Sequence, residues 1–165
     1  MKLKKIRMQT ILLLLLPLCV ILLAMGCKDD NEYSDQVEGY IVGSFIADEF
    51  NTKGEATGNK TERGYCILLE GSENNAMNFY SFNIPEGLFS FPDEILTPDY
   101  NGDNCGPSFF PDSLKYAYKI SFKYQIVSTQ DEVPFVTGAC RAMLASFPWE
   151  NYDQVMVTET SKSEP

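Results

Sequence analysis

The sequence predicts a small all-β domain, a closed barrel of five or six strands. Residues 116–126 alternate large apolar and mostly polar side chains, which is the pattern of a strand with one buried and one solvated face. Shorter apolar runs elsewhere are bounded by glycine, proline or asparagine. Residues 85–114 contain five prolines and three glycines, a composition that excludes a long regular helix.

The strands are predicted from two kinds of apolar pattern. The first two runs are continuous, as expected of strands covered on both sides. The later ones alternate or are short, and Ala139–Phe147 fits a helix almost as well as a strand. In chain order the predicted strands are Tyr40–Asp48, Tyr65–Glu70, Met77–Ile84, Tyr116–Ile126 and Gln154–Thr158.

The connections complete the predicted domain, residues 37–158. Asn51–Arg63 has two glycines and many polar residues and is predicted to be a long hairpin-type loop. A short helical turn is expected near Asp93–Leu96. The long irregular crossing after the third strand favours barrel closure, and residues 159–165 are predicted to form a disordered tail.

The N-terminus has the features of an export signal. Four basic residues precede the apolar stretch Ile11–Met25, and Gly26 and Cys27 follow it. The stretch is shorter than the roughly 20 residues that span a bilayer. Residues 1–26 therefore resemble a bacterial lipoprotein signal peptide, with Cys27 as the lipidated residue and 27–36 as a polar tether. An uncleaved membrane anchor is the alternative.

The residues after Cys27 bear on location. Lys28-Asp29-Asp30 resembles the export tag of Bacteroidetes surface lipoproteins. The resemblance implies a protein held in the outer membrane by its lipid and exposed at the cell surface. The alternative is an ordinary polar tether.

Charge and composition exclude several classes of function. Beyond residue 26 the chain has nine basic and 23 acidic residues, a net charge of −14, which argues against nucleic-acid partners and against electrostatic binding to anionic lipid. The absence of histidine excludes Ser-His-Asp triads and most zinc or copper sites. No metal or cofactor is therefore predicted.

The cysteines could form a disulfide or supply a reactive thiol. Cys66, Cys105 and Cys140 remain once Cys27 and the leader cysteine are set aside, and this odd number predicts one disulfide and one free thiol. Cys66 and Cys140 both lie in strand-like runs, and Cys105–Cys140 is the alternative pair. A catalytic thiol is disfavoured, because the chain has no histidine to activate it.

Three motifs and a late cysteine carry a resemblance to a family. The motifs are Gly64–Glu70, Asn78–Phe89 and Lys119–Tyr124, and the cysteine is Cys140. Through them residues 60–158 resemble small OB-fold-like lipoproteins of Bacteroidetes. The resemblance implies an OB-like barrel and a Cys66–Cys140 disulfide, and it implies no activity.

Aromatic residues are the candidate ligand contacts. Trp149, the only tryptophan, could join Tyr100, Phe109 and Phe110 in a platform for a sugar or a protein. The alternative is that these rings fold onto the end of the barrel. Ser113 matches a short acceptor pattern for O-glycosylation in Bacteroides-type secreted proteins.

The expected function is that of a non-catalytic binding or accessory module for a glycan or an envelope protein. The alternative is a structural or inhibitor-like subunit that docks on another envelope protein. A carboxylate-dependent hydrolase is the weakest of the three, because it needs two carboxyl groups across a cleft. The adjacent acidic pairs, such as Asp48-Glu49, point to opposite faces when they lie on a strand.

Overall fold

The structure is a computed structural model, and it describes residues 32–51, 53–96, 106–136 and 147–164. Its strands belong to one compact unit that begins at Tyr33. The helical elements are α1 (Asp93–Leu96), where a helical turn was predicted, and two 3-10 turns, Asp112–Leu114 and Trp149–Asn151. The strands are β1 (Val37–Phe45), β2 (Asp48–Phe50), β3 (Ala56–Lys60), β4 (Gly64–Leu69), β5 (Phe79–Ser81), β6 (Ser108–Phe109), β7 (Lys119–Ile126), β8 (Phe135–Val136) and β9 (Asp153–Lys162).

Five strands form a ring in the order β1, β4, β5, β9, β7 and back to β1. Four of the five junctions are antiparallel, and β5 pairs with β9 in parallel. The short β6 adds to β1 at Gly43 and Ser44. The arrangement confirms the prediction of a small all-β barrel, and the strand number is that of an OB-type barrel.

A second sheet of three strands, in the order β3, β2, β8, was not predicted. The predicted loop Asn51–Arg63 is therefore wrong over β3. All five residues of β3 are exposed, so burial gives the sequence no periodic pattern there. The strand is held by its pairing with β2 and by cross-strand polar contacts such as Thr57 Oγ1 to Glu49 Oε2 at 2.9 Å.

The interior core fills the barrel and accounts for the alternating pattern of the sequence. Ile120 and Phe122 on β7 are fully buried and pack with residues of β1, β4 and β9. β7 begins at Lys119, three residues later than predicted, and Tyr116 lies in the preceding turn with 42% of its surface exposed. The buried members are Ile41, Ile67, Phe79, Ile84, Phe110, Ile120, Phe122, Val155 and Val157.

An outer core lies on the other face of β1, β4 and β5. Its buried members are Val42, Phe45, Ala47, Cys66, Leu68, Met77 and Tyr80. Half-buried rings, among them Phe135, Phe147 and Trp149, cover them. These strands are thus buried on both faces, which confirms the interpretation of the two continuous apolar runs.

The C-terminal strand is longer than the sequence indicated. β9 continues to Lys162, which pairs with Ile120, so the predicted disordered tail is wrong for residues 159–162. A bulge at Glu159, whose φ is 50°, shifts the register and lets the strand continue. These residues are mostly polar and are held by backbone pairing, so no hydrophobic pattern revealed them.

An ion-pair cluster joins β1, the first residue of β7 and the residue that follows β4. Lys119 Nζ lies 2.6 Å from a carboxylate oxygen of Glu38 and 3.1 Å from one of Glu70, and the Lys119 side chain is only 12% exposed. Ser163 donates a hydrogen bond to Glu38 at 3.1 Å. The hydrogen bond from Lys119, and then that from Ser163, hold the pKa of Glu38 below its ordinary value.

We expect Glu38→Gln to lower the Tm near neutral pH and to make no difference well below pH 4.5. The pKa of Glu38 is lowered from 4.5 in the folded state, so its ionised form stabilises the fold above that value. That contribution is lost as the pH falls through the lowered pKa. Thermal unfolding across the acid range measures it, with the exposed Glu164→Gln as the control. A difference that is constant with pH would contradict the assignment.

We expect Gly64→Ala to destabilise the fold by about 1–3 kcal/mol, because a Cβ at Gly64 would overlap the Phe45 ring. Phe45 is opposite Gly64 in the β1–β4 pair and is 3% exposed, so its ring has little room to move. Urea unfolding of the single and double variants with Phe45→Leu tests this. The penalty for Gly64→Ala should shrink markedly in the Phe45→Leu background, and additive effects would refute the clash.

Candidate functional site

A pocket of about 300 Å³ opens at one end of the barrel, and we call it the mouth pocket. It adjoins the interior core, since Ile84 and several rings in its wall pack against that core. Its walls combine aromatic rings with charged groups of both signs. The lining residues are Glu62, Arg63, Tyr65, Phe82, Ile84, Pro85, Glu86, Gly87, Phe89 and Phe91.

Strand pairing builds the mouth pocket from two separate segments. Tyr65 at the start of β4 pairs with Ser81 at the end of β5, which brings Glu62 and Arg63 beside the residues that follow β5. The chain then reverses in a turn in which Leu88 N donates to Pro85 O at 3.2 Å. Gly87 has a φ of 72° in this turn, a conformation that favours glycine. The returning segment places its phenylalanines in the pocket wall.

The aromatic floor of the mouth pocket is fixed by ring contacts. Tyr65 and Phe91 are stacked, with centroids 5.5 Å apart and planes 26° from parallel. Phe89 lies 5.6 Å from Phe91, and Lys162 Nζ lies 5.0 Å from the Phe89 ring centroid. Such ring pairs each contribute about 0.5–1.5 kcal/mol beyond their buried area. The floor is therefore preformed.

The polar rim of the pocket presents both donors and acceptors. Arg63 Nη1 donates to Ser44 Oγ at 3.2 Å and to the carbonyl of Leu96 at 2.9 Å, which fixes the guanidinium. Burial raises the pKa of the Tyr65 hydroxyl, with the charge of Glu86 adding to the shift and that of Arg63 opposing it. Tyr65 therefore remains a protonated donor at neutral pH, while Glu86 offers an exposed acceptor.

A second, shallower pocket of about 460 Å³ lies at the turn between β4 and β5. None of the described residues that line it is charged. Asn78 has a structural role there, since its Oδ1 accepts the backbone N–H of Leu69 at 2.8 Å. The lining residues are Asn74, Asn75, Ala76, Met77, Asn78, Asn151 and Tyr152. A turn rich in asparagine explains this composition.

The structure brings only part of the predicted aromatic platform together: the Phe147 ring lies between Phe109 and Trp149, with centroids 6.1 and 4.8 Å away. Trp149 is half-buried in the outer core, 4.5 Å from Phe45 between ring centroids. Phe110 is buried in the interior core, whereas Phe109 is 39% exposed, because neighbouring residues of an extended chain point to opposite faces. Tyr100 lies outside the described residues. The platform prediction is thus wrong for the buried Phe110, and for Trp149 and Phe109 it stays a prediction.

The predicted disulfide is also corrected. Cys66 is a free thiol, fully buried on the outer-core face of β4, so the Cys66–Cys140 bridge is not formed. It packs there as a small apolar side chain among Phe45, Leu68 and Tyr80. Cys105 and Cys140 lie outside the described residues, as does the lipidation candidate Cys27.

Two remaining predictions have a partial outcome. Ser113 is exposed in the 3-10 turn Asp112–Leu114, and its glycosylation stays a prediction. Residues 139–146, whose sequence fitted a helix almost as well as a strand, lie outside the described part of the chain.

The mouth pocket was not predicted from the sequence. Phe89 and Phe91, close after the Pro85-Glu86-Gly87 turn, were the sequence signal that could have indicated a ring-lined wall.

We expect Cys66 to resist alkylation in the folded protein and to react once the protein is unfolded. It has no exposed surface, and burial raises the pKa of its thiol, so thiolate is scarce at neutral pH. Iodoacetamide labelling with and without denaturant, followed by peptide mapping of the Cys66 segment, measures it. Rapid labelling of Cys66 in the native state, or its recovery as a disulfide-linked peptide, would contradict the structure.

The described residues hold no cluster of three or more Cys, Asp or Glu side chains suited to a metal ion. The helix in this part of the chain, four residues long, is too short to cross a bilayer, and no other described helix qualifies. Comparison with family models, curated proteins and solved structures finds no match for this chain.

Proposed function

We propose that this chain is a lipid-anchored cell-envelope protein whose barrel is a non-catalytic glycan-binding module. The mouth pocket is the proposed binding site. The observation that carries the proposal is the combination of a fixed aromatic floor with Arg63, Tyr65 and Glu86 at its rim. Sugars present just these two surfaces, apolar ring faces and hydroxyl groups that both donate and accept.

The charges in the pocket favour a neutral, hydroxyl-rich ligand. Glu62 and Glu86 would repel an anion, and Arg63, bonded to Ser44 and Leu96, offsets part of their negative charge. A hydroxyl group can donate to a carboxylate and accept from the guanidinium or the Tyr65 hydroxyl. The volume of about 300 Å³ is at the small end for ligand sites, which suits a single sugar unit of a longer chain.

The position of the pocket in the barrel supports the same proposal. OB-type barrels bind oligosaccharides and oligonucleotides on the face of their second and third strands. β4 and β5 are the second and third strands of this ring; their outer face is covered by the outer core, and the mouth pocket lies at the end of the pair, beside Tyr65 and the residues that follow β5. This is an analogy between folds. The net charge of −14 after residue 26 favours the sugar over the nucleic acid.

The proposed anchor rests on the sequence alone. A leader with four basic residues, an apolar stretch and Cys27 is the signal that lipoproteins carry. Several acyl chains on one residue hold a protein stably, because each buried methylene contributes about 0.8 kcal/mol. Incorporation of labelled palmitate that Cys27→Ala abolishes is the test of this part.

We expect Tyr65→Phe and Glu86→Gln each to weaken binding of a neutral oligosaccharide by about threefold to tenfold, the loss of one hydrogen bond. Both changes keep the side-chain shape, so the floor should persist. A panel of neutral, acidic and amino oligosaccharides identifies a binder, and calorimetry on that binder measures the affinity. Tyr116→Phe and Glu150→Gln, which alter exposed residues outside the pocket, are the matched controls.

Equal affinity of the pocket variants and the controls would place the ligand elsewhere. A binder found only among the acidic oligosaccharides would contradict the charge argument. Circular dichroism of each variant separates loss of binding from loss of fold.

One observation favours a second candidate, a carboxylate-dependent hydrolase. Glu62 and Glu86 line the same pocket, as two catalytic carboxylates of a glycosidase would. Both side chains are exposed, whereas the acid in such enzymes is usually held in an apolar setting. Release of reducing sugar from a bound oligosaccharide, abolished by Glu86→Gln with binding retained, would establish the hydrolase in place of the binding module.

A further inference from the structure

The shallower pocket at the β4–β5 turn, which we call the asparagine pocket, is lined by four carboxamide side chains. Asparagine is common in turns because it tolerates a positive φ and because its side chain bonds to nearby backbone. None of these four residues has a positive φ, and of the four Asn78 alone bonds to backbone, at Leu69 N. The turn therefore leaves three carboxamides unused, those of Asn74, Asn75 and Asn151.

The three unused carboxamides are available to a ligand. All three residues are exposed, and their side chains bond to no other described residue. The turn is held by its backbone instead, with Ser72 N donating to Leu69 O at 3.1 Å and Asn75 N donating to Ser72 O at 2.9 Å. A carboxamide carries two donor hydrogens and an acceptor oxygen without a charge. The asparagine pocket therefore matches groups that both donate and accept, as hydroxyl groups do.

The charges around the asparagine pocket oppose an anionic ligand. Glu73, Glu150 and Asp153 are exposed, and each is adjacent in sequence to a lining residue. Lys115 Nζ, which donates to the carbonyl of Glu73 at 3.3 Å, offsets one of these charges. The remaining balance is negative and would repel an anion. A neutral, hydroxyl-rich ligand avoids this repulsion, and it is the class proposed for the mouth pocket.

Five aromatic rings link the asparagine pocket to the mouth pocket. Tyr152 lines the asparagine pocket, and Phe82 lines the mouth pocket. Successive ring centroids are 5.5, 4.8, 5.0 and 5.6 Å apart, so the series has no gap. Every ring in it is half-buried, which anchors the ring and leaves part of it in contact with solvent. We call this series the ring track, and its members in order are Tyr152, Phe147, Trp149, Phe135 and Phe82.

The two pockets lie at opposite ends of the β4–β5 pair. Tyr65 of the mouth pocket is near the start of β4. Leu69, which bonds to Asn78 of the asparagine pocket, is the last residue of that strand. Four strand steps of about 3.4 Å separate Tyr65 from Leu69 by about 14 Å. A single sugar unit cannot reach both pockets, but an oligosaccharide can.

We propose that the two pockets are subsites of one extended surface, and that its ligand is a neutral oligosaccharide whose units lie across the ring track. This inference rests on the glycan-binding function proposed above. The apolar faces of the sugar rings contact the track, and hydroxyl groups of the far unit bond to the carboxamides. Two weak subsites joined by one ligand give a higher affinity, because the second contact is made at a high effective concentration. The affinity should therefore depend on the length of the saccharide.

Binding of a length series to the full-length protein tests this inference. The probes are gluco-, manno- and galacto-oligosaccharides, each from one to six units, and calorimetry measures their affinity. The double variant Asn75→Ala/Asn151→Ala removes two unused carboxamides, and Gln130→Ala, at an exposed carboxamide outside both pockets, is the matched control. We expect the double variant to lose about tenfold to a hundredfold in affinity for the longest binder, the loss of two hydrogen bonds, and nothing for the single unit.

Trp149 gives a second measurement, because it is the only tryptophan and lies in the middle of the ring track. At saturation, we expect the six-unit saccharide to shift the emission of Trp149 and the single unit to leave it unchanged. The double variant should lose this shift, since the saccharide is then held at the mouth pocket alone. A variant that merely disturbed the fold would alter the emission without any saccharide.

The outcomes separate this inference from the proposed function. Length-independent affinity that Tyr65→Phe still weakens, with the double variant equal to its control, would overturn the asparagine subsite alone. A loss that is equal for short and long saccharides would overturn the joint use of the two pockets by one ligand. If no saccharide of the series binds, both the glycan-binding function and this inference are wrong.

Discussion

The structure depends on one strand that pairs on both sides. The N-terminal half of β1 pairs with β7 and its C-terminal half pairs with β4, and this double pairing closes the ring. Gly39 lies at the overlap, opposite both Leu69 and Ile120, and a Cβ there would be 2.7 Å from the carbonyl oxygen of Leu68. Closure thus requires backbones to approach more closely than a side chain allows. Without this closure, the backbone N–H and C=O groups along both edges of the sheet would lack hydrogen-bond partners.

Closure also decides where the two cores and the pocket form. A closed ring has an inside, filled by Phe122 and its neighbours, and an outside that must be covered or solvated. The outer face of β1, β4 and β5 is covered by Trp149, Phe135 and other rings. The segment after β5 crosses the end of the ring, and the mouth pocket is the space it leaves against β4. The pocket wall and the core are therefore built from the same aromatic contacts.

Sequence patterns predicted the strands whose side chains are buried. They missed the strand segments that are held only by backbone hydrogen bonds. The alternation around Phe122 and the continuous run through Ile67 reflect burial, and both strands were predicted. β3 and residues 159–162 are polar and held by backbone bonds, so periodicity could not reveal them. Alternation could place Cys66 on a strand but not show that rings cover it. Arg63 and Phe91 meet only through the β4–β5 pairing, so the pocket was not predictable from either segment.

The place of β9 in the ring has a consequence for how the chain becomes folded. It lies between β5 and β7, so the last strand in chain order fills the gap that closes the barrel. Such long-range pairing forms late, because distant parts of the chain must first meet. A chain that is synthesised from its N-terminus cannot complete this ring until residues 153–162 have been made. The topology itself therefore delays closure of the barrel until almost all of residues 37–162 are available.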